Sequence, residues 1–150
     1  MTRYFFTFLS IIYIAAIFLL ADSHVVSELA PFNPYSLLHI PLYGILTVLL
    51  IFSFLPLNFK SNVTNVLNEH NASTHQRINA LARILVAGFI ALIVAIADEI
   101  HQSFIPTRDA SITDVFLDCV GITLALGFIY QLHKKGENKE STLSHLHINT

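Results

Sequence analysis

"ADEIHQSFIPTRDASITDVFLD", residues 97–118, joins one apolar run directly to another, and its reading decides the fold. Five carboxylates, one arginine and one histidine crowd into these 22 residues, while only 12% of the 150-residue chain is charged. Ordinary soluble domains carry roughly 25% charged residues. With 54% apolar residues, twelve Phe and a mean hydropathy of +0.64, the chain lacks the charged coat that a soluble core of this size needs. Composition therefore points to a membrane protein. The charged stretch then marks a place where the chain turns around at the edge of the lipid.

Four apolar runs approach the roughly 20 residues that a spanning helix requires. They cover about 4–21, 37–57, 80–97 and 112–132. The first follows Arg3 as a signal peptide would, but its exit "DSHVVSEL" lacks a small-residue cleavage site and further spans follow, so it reads as an uncleaved helix. Pro41 falls in the first turn of the second run, where its missing N–H costs little. The expected fold class is all-α: a polytopic four-transmembrane-helix bundle over residues 1–132, followed by a disordered cytoplasmic tail at 133–150. The Asn-rich stretch between spans two and three reads as a partly ordered surface connection.

Basic residues set the orientation. Arg3 precedes span one, Lys60, Arg77 and Arg83 lie in or beside the middle loop, and Lys134, Lys135 and Lys139 follow span four. The two remaining loops share a single cation, Arg108. The positive-inside rule then places both termini in the cytoplasm and residues 97–118 at the outer face. For a bacterial chain, this means the inner (cytoplasmic) membrane, with the charged segment on the extracytoplasmic side.

That topology brings three helix ends to one level. His39 and Tyr43 lie one turn apart at the start of span two. Asp98, Glu99, His101 and Gln102 close span three, with the helical period grouping Asp98 and His101 and carrying Glu99 round the side. Asp114 and Asp118, again four apart, open span four. An unpaired carboxylate at the depth of Asp118 costs about 2.5–3.5 kcal/mol on insertion scales, so it must face the bundle and hold a partner. Arg108 is the natural counter-ion for Asp98, Asp114 or Asp118. His39 and Gln102 neutralise no buried charge on this reading, so both are expected to matter more for binding than for folding. Gly121 and Ala125 read as helix packing beneath the cluster, Cys119 as a small core residue, and His101 as an ordinary loop residue.

The same residues carry a family resemblance. "DEIHQSFIPTRDASITDVFLDCVG", residues 98–121, is similar to the signature of the VanZ-like membrane proteins, which include teicoplanin-resistance proteins. Their pattern, D-E-x-x-Q-x-F-x-P-x-R followed by D-x-x-x-N-x-x-G, is matched by Asp98, Glu99, Gln102, Phe104, Pro106, Arg108, Asp114 and Gly121. His39 and Tyr43 match the family's earlier H-x-x-x-Y element. Two positions depart: Asp118 stands where an Asn is usual, and Ser36 where a Lys often precedes the histidine by three. Both changes make this site more acidic. The resemblance implies a small helical cell-envelope protein, some of whose relatives protect against glycopeptide antibiotics, and it supplies no established reaction.

Three functions fit these residues. The first is a site formed by His39, Tyr43, Asp98, Glu99, Gln102, Arg108, Asp114 and Asp118 that binds a lipid headgroup, a lipid-linked envelope precursor or an antibiotic-like ligand. The second is an enzyme acting on a lipid-linked phosphate or glycolipid, with His39, Asp98 and Glu99 as base or ligands. The third is a charge network that only fixes the turn between spans three and four. The pattern D-E-x-H matches no established zinc motif, and neither a metal nor a cofactor is assigned from sequence. Membrane lipids or a lipid-linked envelope ligand are the expected partners. Nucleic acid is excluded, because a net charge of −2 leaves no basic stripe to neutralise phosphates.

Overall fold

The computed structural model describes residues 2–21, 36–54, 69–106 and 110–147, with backbone alone at 2, 69–77, 80 and 133–147. Within them are four helices: α1 (Thr2–Leu20), α2 (His39–Phe54), α3 (Glu69–Gln102) and α4 (Ile112–His147). The described residues contain no strand. The expected all-helical class is what the chain adopts.

Three of the helices hold a stretch long and apolar enough to cross a membrane: Arg3–Leu20, Leu81–Gln102 and Ile112–Leu132. Most of their surface is turned outward. Phe5, Phe8 and Leu19 of α1, Phe89 of α3 and Phe116 and Phe128 of α4 are all exposed. Water would not tolerate that coat, whereas hydrocarbon does. The fourth helix, α2, is apolar over the 16 residues described, about 24 Å at 1.5 Å per residue. It is the innermost helix and packs against each of the other three.

Helix bounds differ from the sequence reading at two places. α3 begins at Glu69 rather than Ala80 and continues to Gln102 rather than Ala97. Neither Pro nor Gly interrupts residues 69–87, so the helix extends beyond the apolar run at both ends. α4 continues to His147, through the segment expected to be a disordered tail. That segment has no proline and a single glycine, Gly136, too little to stop a helix already nucleated in the bundle. Expectations that fall on the loop between α1 and α2, on residues 55–68 and on Arg108 lie outside the described residues.

The chain runs up, down, up, down. The first turns of α1 meet the end of α2, where the Thr7 and Ser53 hydroxyls are 2.7 Å apart and Arg3 Nε donates to the Ser53 carbonyl at 3.4 Å. Farther along, the Tyr13 hydroxyl donates to the Leu42 carbonyl at 3.1 Å. The start of α2 meets the end of α3 and the start of α4. The core between them is a small-residue seam: Ala87, Ala91 and Ala95 of α3 face Tyr43, Leu46, Leu50 and Ile51 of α2, with Ile122 and Ile129 of α4 and Ile17 of α1 completing it. Small side chains four apart let helix backbones approach in lipid, where no hydrophobic drive holds them together.

The closest approach is between α2 and α4. A Cβ built on Gly121 would overlap the Ile40 carbonyl oxygen, and the nearest neighbour of a Cβ on Gly44 is the Gly121 carbonyl at 3.5 Å. Gly121 is therefore obligatory for this crossing. The small-residue packing expected at Gly121 is present, and its partner is a backbone carbonyl.

Candidate functional site

On three helices the buried stripe that builds the core runs on into polar residues at the same end of the bundle. On α3 the series Ala91, Ala95 is extended by Asp98 and Gln102. On α4 it is Ala125, Ile122 extended back to Asp118 and Asp114, and on α2 it is Leu46, Tyr43 extended to His39. The helical period thus carries polar side chains to the bundle axis, because the face was already committed to packing. Asp98, Glu99, Gln102, Asp114 and Asp118 are all buried, Asp118 completely.

Local structure explains how each is held. Ser36 adopts a left-handed backbone, φ 53°, and its carbonyl accepts the His39 N–H at 3.0 Å, which starts α2 at the histidine. Ser111 caps α4: its hydroxyl accepts the Thr113 N–H at 3.2 Å. In a capping box, the acid three residues on would reach back to the cap residue's own N–H. Here Glu99 takes that N–H instead, with Oε2 at 2.8 Å from Ser111 N, and so ties the end of α3 to the start of α4. Asp114 is left to face His39.

The network centres on two carboxylates. His39 Nδ1 lies 2.9 Å from Asp118 Oδ1, and its other nitrogen, Nε2, lies 3.8 Å from Asp114 Oδ2. Tyr43 donates its hydroxyl to Asp98 Oδ2 at 3.2 Å, and Gln102 Nε2 donates to the same oxygen at 3.1 Å. The His39 and Tyr43 rings stack, 6.4 Å between centroids. Even so, one oxygen on each of three acids, Asp98 Oδ1, Glu99 Oε1 and Asp118 Oδ2, is buried without a hydrogen-bond partner among the described residues. Buried orphan acceptors of this kind are rare and costly.

Seven of the eight residues singled out in the sequence are described, and the fold brings all seven to one end of the bundle. Arg108, the eighth and the expected counter-ion, lies outside the described residues, so its expected contact with an acid lies outside them too. Two expectations change. Glu99 is turned inward beside Asp98 rather than carried round the side. His101, read as a loop residue, sits in the last turn of α3 with its ring against Phe18 of α1, 5.5 Å between centroids. Sequence reasoning missed Ser111, although the S-x-x-D spacing to Asp114 before an apolar run is a helix-start signal. Cys119 is half-buried and lines a groove between α3 and α4 with Gly88 and Leu126.

A second groove, of about 410 Å³, opens between α2 and α4 directly beneath the polar cluster. Ile40, Pro41, Gly44 and Gly121 form its upper part, with Leu124, Ala125 and Phe128 farther along. Its lining is apolar and faces lipid.

An apolar helical bundle with a buried acid–histidine cluster at one end defines a polytopic membrane protein. The comparisons make the assignment narrower: the family model described as VanZ/LLP1 matches residues 4–133. The chain belongs to that family, and is a membrane protein of the VanZ type. No curated protein and no solved structure matches it.

Proposed function

We propose that this chain binds the polar head of a lipid, a lipid-linked envelope precursor or an antibiotic-like molecule at the His39–Asp118 end of the bundle, on the extracytoplasmic face of a bacterial cytoplasmic membrane. The observation that carries the reading is the set of buried carboxylate oxygens on Asp98, Glu99 and Asp118 that have no hydrogen-bond partner among the described residues. A network needed only to fix a turn would satisfy its own acceptors, since each buried unpaired group costs stability. The apolar groove beneath the cluster supports an amphiphilic ligand, with an acyl chain between α2 and α4 and the head among the acids. The acidic lining favours a head that brings hydrogen-bond donors or positive charge with it.

Mass spectrometry of lipids copurified with the protein tests this. A defined species should be enriched over the bulk membrane in the wild type and lost in Gln102→Ala, with the yield of folded protein unchanged. Copurified lipid that mirrors the bulk membrane would remove the reading. Orientation is tested separately: in a Cys119→Ser background, cysteine at Ser27 should react with an impermeant thiol reagent in intact cells and cysteine at Ser61 should not. The reverse pattern inverts the topology.

One observation favours a second reading. A carboxylate 2.9 Å from an imidazole nitrogen, as in Asp118 and His39, is how general bases are oriented. On that reading the chain is a membrane-embedded enzyme acting on a lipid-linked phosphate or glycolipid, and Glu99→Gln abolishes turnover while the copurified lipid is retained.

A further inference from the structure

We infer that His39, Glu99 and Asp118 form a site for one divalent transition-metal ion, of which Zn²⁺ is the type. The inference deepens the functional reading above, since a bound cation gives an acidic site the positive charge with which to hold a phosphate or carboxylate head. The site itself stands on geometry that does not depend on any ligand.

One ligand atom from each of the three residues lies within 4.8 Å of the others. Three ligands at the 2.0–2.2 Å typical of Zn–N and Zn–O bonds lie about 3.3–3.6 Å apart in a tetrahedral site, so the triangle must contract by about 1 Å on binding, within reach of side-chain rotation. The three residues come from three different helices, α2, α3 and α4. A metal therefore joins elements that already pack together instead of recruiting a loop. Glu99 Oε1 and Asp118 Oδ2 are two of the buried oxygens without a hydrogen-bond partner among the described residues, on residues 6% and 0% exposed. A cation coordinated there satisfies both.

Neighbouring residues fit the supporting roles. Asp98 already accepts from Tyr43 and Gln102 through Oδ2, which holds it beside the triangle and not in it. When His39 Nδ1 ligates, its Nε2–H points toward Asp114 Oδ2, now 3.8 Å away, the carboxylate–histidine–metal arrangement that fixes tautomer and ring orientation. Ligation replaces the hydrogen bond between His39 Nδ1 and Asp118 Oδ1, and the neutral imidazole then carries its single proton on Nε2. An imidazole in the set favours Zn²⁺ over Mg²⁺ and Ca²⁺, which prefer oxygen ligands alone. The remaining coordination positions are open to a ligand's phosphate or carboxylate oxygen, or to water.

The test uses the full chain without a polyhistidine tag, purified in detergent, stripped with chelator and titrated with ZnCl₂, MnCl₂ and MgCl₂. The other seven histidines, His24, His70, His75, His101, His133, His145 and His147, are a second source of bound zinc, so the readout is the equivalent lost on substitution. One tight equivalent of Zn²⁺ should disappear in Asp118→Asn and in Glu99→Gln, and persist in Ser103→Ala and in the double variant His145→Ala, His147→Ala. Asp114→Asn should weaken it by about 10- to 100-fold. Mg²⁺ at the same concentration should not compete. X-ray absorption on the wild-type zinc complex needs no variant to fold, and should show one imidazole with oxygen ligands at about 2.0–2.1 Å. Stoichiometry unchanged by Asp118→Asn and Glu99→Gln, or a shell of two or more imidazoles, overturns the site. Lipid enrichment that is lost while the zinc equivalent remains removes the functional reading and leaves the metal site standing.

Discussion

The two ends of α2 solve the same problem in opposite ways. At its C-terminal end the polar groups are matched, and α2 itself contributes only neutral ones: the Ser53 hydroxyl meets the Thr7 hydroxyl at 2.7 Å, and the Ser53 carbonyl accepts from Arg3. At its N-terminal end His39 and Tyr43 meet four carboxylates, and three of their oxygens find no partner among the described residues. Matched neutral pairs inside a membrane act as glue between helices. Unmatched charge at comparable depth is costly enough that its retention points to use.

The largest expected effect removes the scaffold beneath the polar end. Gly121→Ala places a methyl group against the Ile40 carbonyl, a backbone atom that cannot rotate away. α2 and α4 must separate, which should cost about 3 kcal/mol or more. Folded protein recovered from the membrane should fall sharply, and both the polar cluster and the groove should be lost with it. Near-normal recovery would mean that the crossing is looser than the structure places it.

His39→Ala comes next. On sequence alone His39 neutralises nothing and is dispensable to the fold; the structure seats it on Asp118, which is completely buried. Removing the ring leaves Asp118 with no partner for either oxygen among the described residues, a penalty of about 1–3 kcal/mol. Thermal unfolding in detergent should report it. His39→Ala therefore cannot serve alone as a probe of binding.

Gln102→Ala is the cleaner probe. Asp98 keeps the Tyr43 hydroxyl when the amide is removed, so the loss should stay near 1 kcal/mol. Lipid enrichment should vanish while folded yield holds. Loss of both in proportion would make the polar end scaffold, and the difference between the two ends of α2 would become one of degree.

What the sequence revealed and what it hid follow from the range of the interactions. Apolar run length and the period of 3.6 are local, so the four helices, the convergence of His39, Tyr43, Asp98, Gln102, Asp114 and Asp118, and the packing role of Gly121 were legible from residues alone. The lengths of α3 and α4 were not, because a polar extension such as Glu69–Arg77 has no apolar signal and depends on the absence of a breaker. The roles of Glu99 and Ser111 were hidden for a different reason. A capping acid is read three residues downstream of its Ser, and here it arrives from twelve residues upstream on another helix. His39 on Asp118 spans 79 positions, and no periodicity reports a pairing of that range.

The smallest effect tests the quiet end. Ser53→Ala removes the hydroxyl that meets Thr7, but Thr7 also donates to the Arg3 carbonyl at 3.0 Å, and Arg3 still reaches the Ser53 carbonyl, which the substitution leaves in place. No charge is stranded and no ring-sized hole opens. Interhelical hydrogen bonds of this kind average about 0.6 kcal/mol in membranes, and Ser53→Ala should cost no more than about that. Lipid enrichment and zinc stoichiometry should both be untouched, because the polar site is at the other end of α2, 14 residues from Ser53 at His39. Thermal unfolding of Ser53→Ala and His39→Ala side by side gives the decisive ratio. If Ser53→Ala costs as much as His39→Ala, burial of polar groups in this bundle is uniformly expensive, and the orphan oxygens at the other end lose their meaning as a sign of function.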